Sequence, residues 1–272
     1  MHGFELLRKV ADGSAAEAFL ARATGAKHSV LVEVSRAEVI QDTELYGRFL
    51  DRAMGRREFR HPNLIKRQTA GCGPDGRVYV ATEAIAGPTI ASRIAAQGPY
   101  APHEAVRLLI PICEALEYLH GRNVVHGYLS PKNIYLTGPE DCPVPKLLEM
   151  GLILFRTNRL LKTMPAKLVG EPYLSPERAA GHRASVLSDV YGLGVLLFEL
   201  ITGNPPYAIR SLHQTAPIPV LPPEAAALSE VVSRCLAKEP SRRYQSAREV
   251  QLATTIGLGG LVSPAAAWIP SV

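Results

Sequence analysis

Polar side chains that could do chemistry are concentrated in seven short blocks of this 272-residue sequence. The blocks combine imidazole, amide, carboxylate and guanidinium groups with small and apolar residues. The four cysteines, by contrast, are widely spaced and show neither the spacing of metal ligands nor a disulfide framework. The blocks are therefore the strongest indication of function in the sequence. They are residues 118–120 with 124–126, 129–133, 146–151, 173–177, 188–194, 202–207 and 235–244.

These blocks resemble, in type and order, those of a bacterial serine/threonine protein kinase domain. The resemblance covers about residues 4–256, and seven collinear blocks are far more specific than an isolated glycine motif. It implies an α+β, bilobal fold, with a β-rich N-lobe that carries one main helix and an α-rich C-lobe. We expect the kinase-like domain at 4–256, divided into an N-lobe (4–87) and a C-lobe (88–256), with an apolar extension at 257–272.

The resemblance also assigns roles, and several positions lack the residue that the family uses for phosphoryl transfer. Glu33 occupies the position of the lysine that binds the α- and β-phosphates. Tyr128 replaces the aspartate that orients the substrate hydroxyl, and a tyrosine carries no charge near pH 7. Ser130 replaces the lysine of the same loop. Of the three glycines that cover the phosphates only Gly13 remains, and Asp12 adds negative charge beside it.

Other positions of the implied nucleotide cleft are changed less severely. Asn133 matches a metal ligand of the family, and Glu149 occupies the place of the D-F-G aspartate, one methylene longer. Leu31 and Tyr135 are bulkier than the family's residues beside the purine, and overpacking a tight cleft costs about 1–3 kcal/mol per site. The degenerate nucleotide cleft implied by the resemblance comprises Gly13, Leu31, Thr82, Glu83, Ile85, Asn133, Tyr135 and Glu149.

Structural residues of the family are retained. Glu177 and Arg243 resemble the buried ion pair that anchors the activation segment, and Asp189 resembles the aspartate that braces the catalytic loop. A charge-swapped pair is also predicted, in which Arg52 replaces the N-lobe helix glutamate that normally faces the lysine, here Glu33. The alternative is coincidence, because Arg52 belongs to a run of arginines at helical spacing.

The elements that must position these residues are strands in the first third of the chain and helices afterwards. β-branched runs predict the strands, a Pro-Asp-Gly turn at 74–76 precedes the second of them, and apolar residues at helical spacing predict the helices. Gly87 and Pro88 indicate a hinge between the lobes. The predicted strands are 30–34 and 78–82, and the predicted helices are 43–60, 102–120, 188–203, 225–236 and 246–256.

The composition of the chain limits the kinds of partner and the cellular location that we expect for it. The formal charge of +5 is mild, and no run of five basic residues occurs, so we expect no nucleic-acid binding. The absence of an apolar run after the first residues and the scattered cysteines favour the cytoplasm. Residues 252–272 carry no charge, but glycines and prolines interrupt them. We expect a docked or loose extension there, with a membrane contact as the lesser alternative.

Together these substitutions predict that the chain is not an enzyme. The predicted function is that of a pseudokinase, a protein-binding or allosteric signalling module with a protein partner. No cofactor is expected beyond weak binding of ATP or Mg²⁺. Two alternatives stay open, namely an atypical active serine/threonine protein kinase that uses ATP and a nucleotide or ligand sensor without turnover.

Overall fold

A computed structural model describes residues 3–12, 16–25, 29–37, 47, 59–148, 173–208 and 210–259. The chain divides into two units. The first contains Met1–Gly87 and Lys146–Gly170, and the second contains Pro88–Pro145 and Glu171–Val272. Within the described ranges, no helix is both long and apolar enough to cross a membrane.

The first unit is built on a five-stranded antiparallel sheet with strand order β1-β2-β3-β5-β4. Its central strand, β3, is flanked by β2 and β5. The middle of β3 is buried, since Val30, Val32, Glu33 and Val34 are each at most 4% exposed. The strands are β1 (Phe4–Asp12), β2 (Ala16–Ala23), β3 (Ser29–Ser35), β4 (Arg67–Cys72) and β5 (Val78–Glu83).

Alternation along β3 separates its two faces. Val30, Val32 and Val34 pack in one core cluster with small residues of β2 and β5. Leu31 and Glu33 therefore lie on the opposite face, because successive side chains of a strand point to opposite sides. The register fixes this arrangement, since a slip by one residue would exchange the two faces.

The turn between β4 and β5 has the geometry that its sequence favours. The amide of Gly73 donates to the carbonyl of Arg77 at 2.7 Å, and the amide of Gly76 donates to the carbonyl of Gly73 at 3.0 Å. Gly76 has a φ of 77°, which a residue without a Cβ atom adopts at little cost. The turn brings β5 back beside β4, and the other edge of β5 pairs with β3.

The second unit is helical, and its centre is α4 (Val186–Thr202), which is buried along almost its whole length. The helices α2, α6 and α7 pack around it and around one another. Short 3₁₀ turns occur at Pro131–Asn133, Pro223–Leu228 and Pro240–Arg242. The other helices are α1 (Ile90–Gln97), α2 (Pro102–His120), α3 (Pro176–Ala179), α5 (Arg210–Thr215), α6 (Ser229–Cys235) and α7 (Ala247–Leu258). The strand β6 (Ile134–Thr137) pairs with β7 (Val144–Leu147), of which Val144 and Pro145 belong to this unit.

Close packing in this unit depends on Gly194 in the middle of α4. A Cβ atom at this position would lie 2.5 Å from the Cβ atom of Cys235 on α6. Gly203 ends α4 with a φ of 78°, the left-handed conformation that glycine provides at helix ends.

The α+β prediction is confirmed, with a β-sheet unit followed by a helical unit. One helix differs from the prediction. Residues 225–236 do not form a single helix, because a 3₁₀ turn at Pro223–Leu228 precedes α6. Pro222 and Pro223 set the start of this turn, in which the amide of Ala225 donates to the carbonyl of Pro222. Most of the predicted helix 43–60 lies outside the described residues.

Candidate active site

The loop between α2 and β6 is held by hydrogen bonds to Asp189, a carboxylate residue of α4. One oxygen of Asp189, Oδ2, accepts hydrogen bonds from the amide of His126 and from Nε2 of His120, both at 2.8 Å. The other, Oδ1, accepts from the amide of Gly127 at 2.6 Å. Asp189 is only 1% exposed, so these bonds are shielded from water. The backbone of the loop is therefore fixed by a side chain that takes no part in chemistry itself.

Tyr128 follows directly and is held by its backbone. Its amide donates to Nδ1 of His126 at 3.3 Å, and its carbonyl accepts from Nδ2 of Asn133 at 2.9 Å. The guanidinium of Arg178, on α3, lies 5.0 Å from the centre of the Tyr128 ring. A cation over an aromatic face is attracted to it. The position of the family's aspartate is thus occupied by a half-buried ring with a positive charge beside it.

Asn133 is oriented for a role as a ligand. It ends the 3₁₀ turn Pro131–Asn133 and is 8% exposed. Because its Nδ2 is bound to the carbonyl of Tyr128, its Oδ1 is directed away from that carbonyl. An amide oxygen is a ligand that Mg²⁺ accepts. Ser130, in the place of the loop lysine, is buried, whereas Lys132 is exposed.

A buried carboxyl group lies near the same loop. Glu199 of α4 is 7% exposed and accepts a hydrogen bond from the hydroxyl of Tyr173 at 3.1 Å. Burial raises the pKa of Glu199 to about 7, although the bond from Tyr173 and the charge of Lys132 act in the opposite direction. At neutral pH this group therefore carries only part of its negative charge.

In the first unit, Glu33 occupies the position of the family's lysine in β3. It is 4% exposed and stands opposite Ala18 of β2 and Val80 of β5. Leu31, two residues earlier on the same face, stands opposite Thr82, which is 2% exposed and whose Oγ1 has no hydrogen-bond partner. The structure thus places a carboxylate and a hydroxyl on one buried face of the sheet.

Glu83, at the end of β5, joins two distant segments of the first unit. Its Oε1 accepts a hydrogen bond from Nζ of Lys146 at 2.6 Å and from the amide of Lys66 at 3.0 Å. The carbonyl of Leu147 accepts from the amide of Ile65 at 2.9 Å. These contacts fix residues 146–148, which lead to position 149. Sequence reasoning did not identify Lys146, because nothing local in the sequence indicates a partner 63 residues away.

Arg243 uses its whole guanidinium group inside the second unit. Nη1 and Nη2 donate to the two carboxylate oxygens of Glu177 at 2.9 and 2.8 Å. Nη1 also donates to the carbonyl of Leu187, Nη2 to that of Lys238 and Nε to that of Ala237. The side chain of Arg243 is 0% exposed and that of Glu177 is 15% exposed. This bidentate pair ties α3 to the turn before α7.

The remaining predicted site residues fall in different parts of the chain. Gly13, Arg52 and Glu149 lie outside the described residues, so the pairing of Glu33 with Arg52 stays a prediction. Tyr135 lies in β6 and forms an isolated antiparallel bridge with Thr89. Of the described nucleotide-cleft residues, Asn133 and Tyr135 belong to the second unit, and Leu31, Thr82, Glu83 and Ile85 belong to the first.

Comparison with known proteins places the sequence and the fold in one family. The family described as "Protein kinase domain" has a model that matches residues 4–253. The serine/threonine-protein kinase PknB of Mycobacterium tuberculosis is 31% identical over 265 residues, which are 91% of this chain and 42% of that protein. The corresponding values for the serine/threonine-protein kinase PrkC of Bacillus subtilis are 28% over 258 residues, 91% and 39%. The chain thus spans about two fifths of the length of these relatives.

The fold agrees with that of a solved kinase domain. The crystal structure of the M. tuberculosis PknI kinase domain matches with a TM-score of 0.77 and 24% identity. The match covers 94% of this chain and 96% of that one. It shows that the two chains share a fold.

Two predictions from the sequence are contradicted by these relatives. The prediction that the chain is not an enzyme is wrong, because the relatives are named serine/threonine-protein kinases and the kinase model covers almost the whole chain. The expectation of no cofactor is wrong for the same reason, since protein kinases use ATP with Mg²⁺. Both predictions treated the changes at positions 33, 128 and 130 as decisive. Phosphoryl transfer, however, passes through a loose transition state that demands little covalent chemistry from any single side chain.

The predicted family is confirmed by the extent of these matches. The match to the family model, over residues 4–253, covers the sheet of the first unit and nearly all of the helical second unit. This chain belongs to the protein kinase domain family.

Proposed function

We propose that this chain is an atypical serine/threonine protein kinase domain that transfers the γ-phosphoryl group of ATP to a protein hydroxyl group. The observation that carries the proposal is the arrangement of residues 126–133. Asp189 fixes the backbone of this loop, and Asn133 presents its amide oxygen at the end of it. This is the part of a kinase that holds metal ion and acceptor together.

The described residues supply one side-chain ligand for a magnesium ion. Asn133 would hold it through Oδ1, which the bond from Nδ2 to the loop carbonyl leaves free for a ligand role. When bound, Mg²⁺ neutralises charge on the β- and γ-phosphates of ATP.

Positive charge near the acceptor comes from residues other than the family's loop lysine. Arg178 lies beside the ring of Tyr128, and Lys132 is exposed at the 3₁₀ turn next to Asn133. In the transfer, the bond from the γ-phosphorus to the β–γ bridging oxygen breaks and a bond to the acceptor oxygen forms. ADP leaves, and the proton of the acceptor passes to water. Cationic groups near the loop stabilise the charge that spreads over the transferring oxygens.

The proposed partner is a protein of a signalling system that carries the acceptor hydroxyl. A nucleic-acid partner is not proposed, because the net charge of +5 is small for a chain of this length. The proposed location is the cytoplasm, where ATP is available. All four cysteines are free thiols, in keeping with a reducing compartment.

The proposal is tested by incubating the purified chain with γ-labelled ATP, Mg²⁺ and a protein rich in serine and threonine. We expect label on hydroxyl side chains and none when Mg²⁺ is chelated. Asn133→Ala should lower the rate by at least about tenfold, because it removes a metal ligand. The melting temperature with and without Mg-ATP provides an independent readout of nucleotide binding.

Asn204→Ala is the matched control. Asn204 is an exposed asparagine in the turn after α4, where its contacts are to Thr202. This variant should transfer phosphate at the rate of the parent chain. The proposal fails if no label is incorporated, or if incorporation is indifferent to both Mg²⁺ and Asn133→Ala.

A further inference from the structure

Three basic residues lie on or beside the loop that carries Tyr128 in the second unit. Arg178 lies 5.0 Å from the Tyr128 ring. Lys132 precedes Asn133, whose Nδ2 is bound to the Tyr128 carbonyl. Arg183 precedes Ala184, whose Cβ atom lies only 2.8 Å from the position that a Cβ atom on residue 127 would take. We call Lys132, Arg178 and Arg183 the cationic face.

Three carboxylates near this face are held inside the fold, and of these Glu199 interacts electrostatically with Lys132. Glu177 is bound by Arg243, Asp189 is bound by His120 and two backbone amides, and Glu199 is buried against Tyr173. Lys132 and Arg183 are exposed to solvent. The carboxylates of Glu177, Asp189 and Glu199 thus point into the fold, whereas Lys132 and Arg183 remain at its surface.

Arg178 is more than a solvated surface residue. Its Nε is buried and has no hydrogen-bond partner, and Nη1 reaches the carbonyl of His182 at 3.4 Å. A guanidinium can bind a planar acceptor such as a carboxylate or phosphate through two parallel N–H donors.

From these observations we infer that the cationic face binds an acidic peptide segment, with carboxylate side chains beside the hydroxyl residue that accepts phosphate. The inference rests on the proposed function for the identity of the acceptor, and it adds the chemical class of the substrate. A face of three cations matches the few charges of a short peptide. Nucleic-acid grooves carry more extended basic stripes with several aromatic residues.

The test measures binding without ATP. Three labelled peptides share one serine-containing sequence, and the residues flanking the serine are all Glu, all Gln or all Lys. By fluorescence anisotropy, we expect the Glu peptide to bind at least about tenfold more tightly than the Gln peptide, as expected for a few charge-assisted hydrogen bonds. The preference should weaken as salt is added.

Lys132→Gln and Arg178→Gln should each weaken binding of the Glu peptide several-fold and leave the Gln peptide unchanged. Arg242→Gln is the matched control, because its side chain is 75% exposed in the same unit and pairs with Glu239. Equal binding of the Glu and Gln peptides would overturn the inference, as would an equal loss in Arg242→Gln. If the preference is found but no phosphate is transferred, the proposed function fails and the binding face stands. If phosphate is transferred without any preference, the inference alone fails.

Discussion

Replacement of Arg243 by alanine should strongly destabilise the second unit. The substitution removes five hydrogen bonds at once, two of them to the carboxylate of Glu177 and three to backbone carbonyls. It also leaves a carboxylate in a site from which water is largely excluded. Breaking a buried ion pair by removing one partner costs about 3–5 kcal/mol.

The effect on melting should be large enough to measure without ambiguity. Proteins of this size lose about 2–4 °C of melting temperature per kcal/mol, so the expected decrease is roughly 6–20 °C. Urea unfolding followed by circular dichroism should show a lower midpoint. Arg242→Ala is a neighbouring control, because its ion pair with Glu239 is exposed and should contribute at most about 1 kcal/mol.

The same pair should make the effect of Arg243→Ala depend on pH. Burial raises the pKa of Glu177, but the hydrogen bonds from Arg243 and from its own backbone outweigh this and lower the pKa from 4.5 to about 2. A lowered folded-state pKa means that the stabilisation is present above pH 4.5 and is lost as the pH falls towards 2. The difference in stability between the parent and Arg243→Ala should therefore shrink over that interval. A melting temperature within a degree of the parent at pH 7, or a difference that does not change with pH, would refute this reasoning.

Two further substitutions test the packing and the electrostatics around α4. Gly194→Ala should cost about 1–3 kcal/mol in urea unfolding, because the new methyl group meets the Cβ atom of Cys235; an unchanged midpoint would mean that α6 can move aside. Glu199→Gln should leave stability unchanged near pH 4 and raise it above pH 7. Burial raises the pKa of Glu199 to about 7, so the parent loses folding stability as the pH rises from 4.5 through 7. A glutamine at this position has no charge to lose or gain, and it can still accept the hydrogen bond from Tyr173. A parent and variant with parallel pH profiles would contradict that account.

The sequence predicts those parts of the fold that depend on local pattern. The apolar run 30–34 lies within β3, and the helical spacing of 102–120 and 188–203 corresponds to α2 and α4. Contacts between distant side chains could not be predicted in this way. The bond between Lys146 and Glu83 and the stacking of Arg178 on Tyr128 depend on how turns bring remote segments together. No periodicity encodes such pairs, so the arrangement of the cationic face could not be predicted from the sequence.

The loop at residues 126–133 keeps its backbone geometry independently of its charged side chains, which explains why the substitutions at positions 128 and 130 misled the prediction that the chain is not an enzyme. The backbone of the loop is held by the carboxylate of Asp189 and by the side-chain nitrogen Nδ2 of Asn133. Neither contact uses the side chain at position 128 or 130. Gly127 adopts a φ of 72° beside Ala184, a conformation that again depends only on backbone and packing. The loop can therefore keep its geometry while its charged side chains change. Because catalysis by a kinase rests mainly on positioning and on the total electrostatic field, the charge lost at one position can be supplied from another. The candidates to supply that charge are Lys132, Arg178 and Arg183, the residues of the cationic face beside Tyr128.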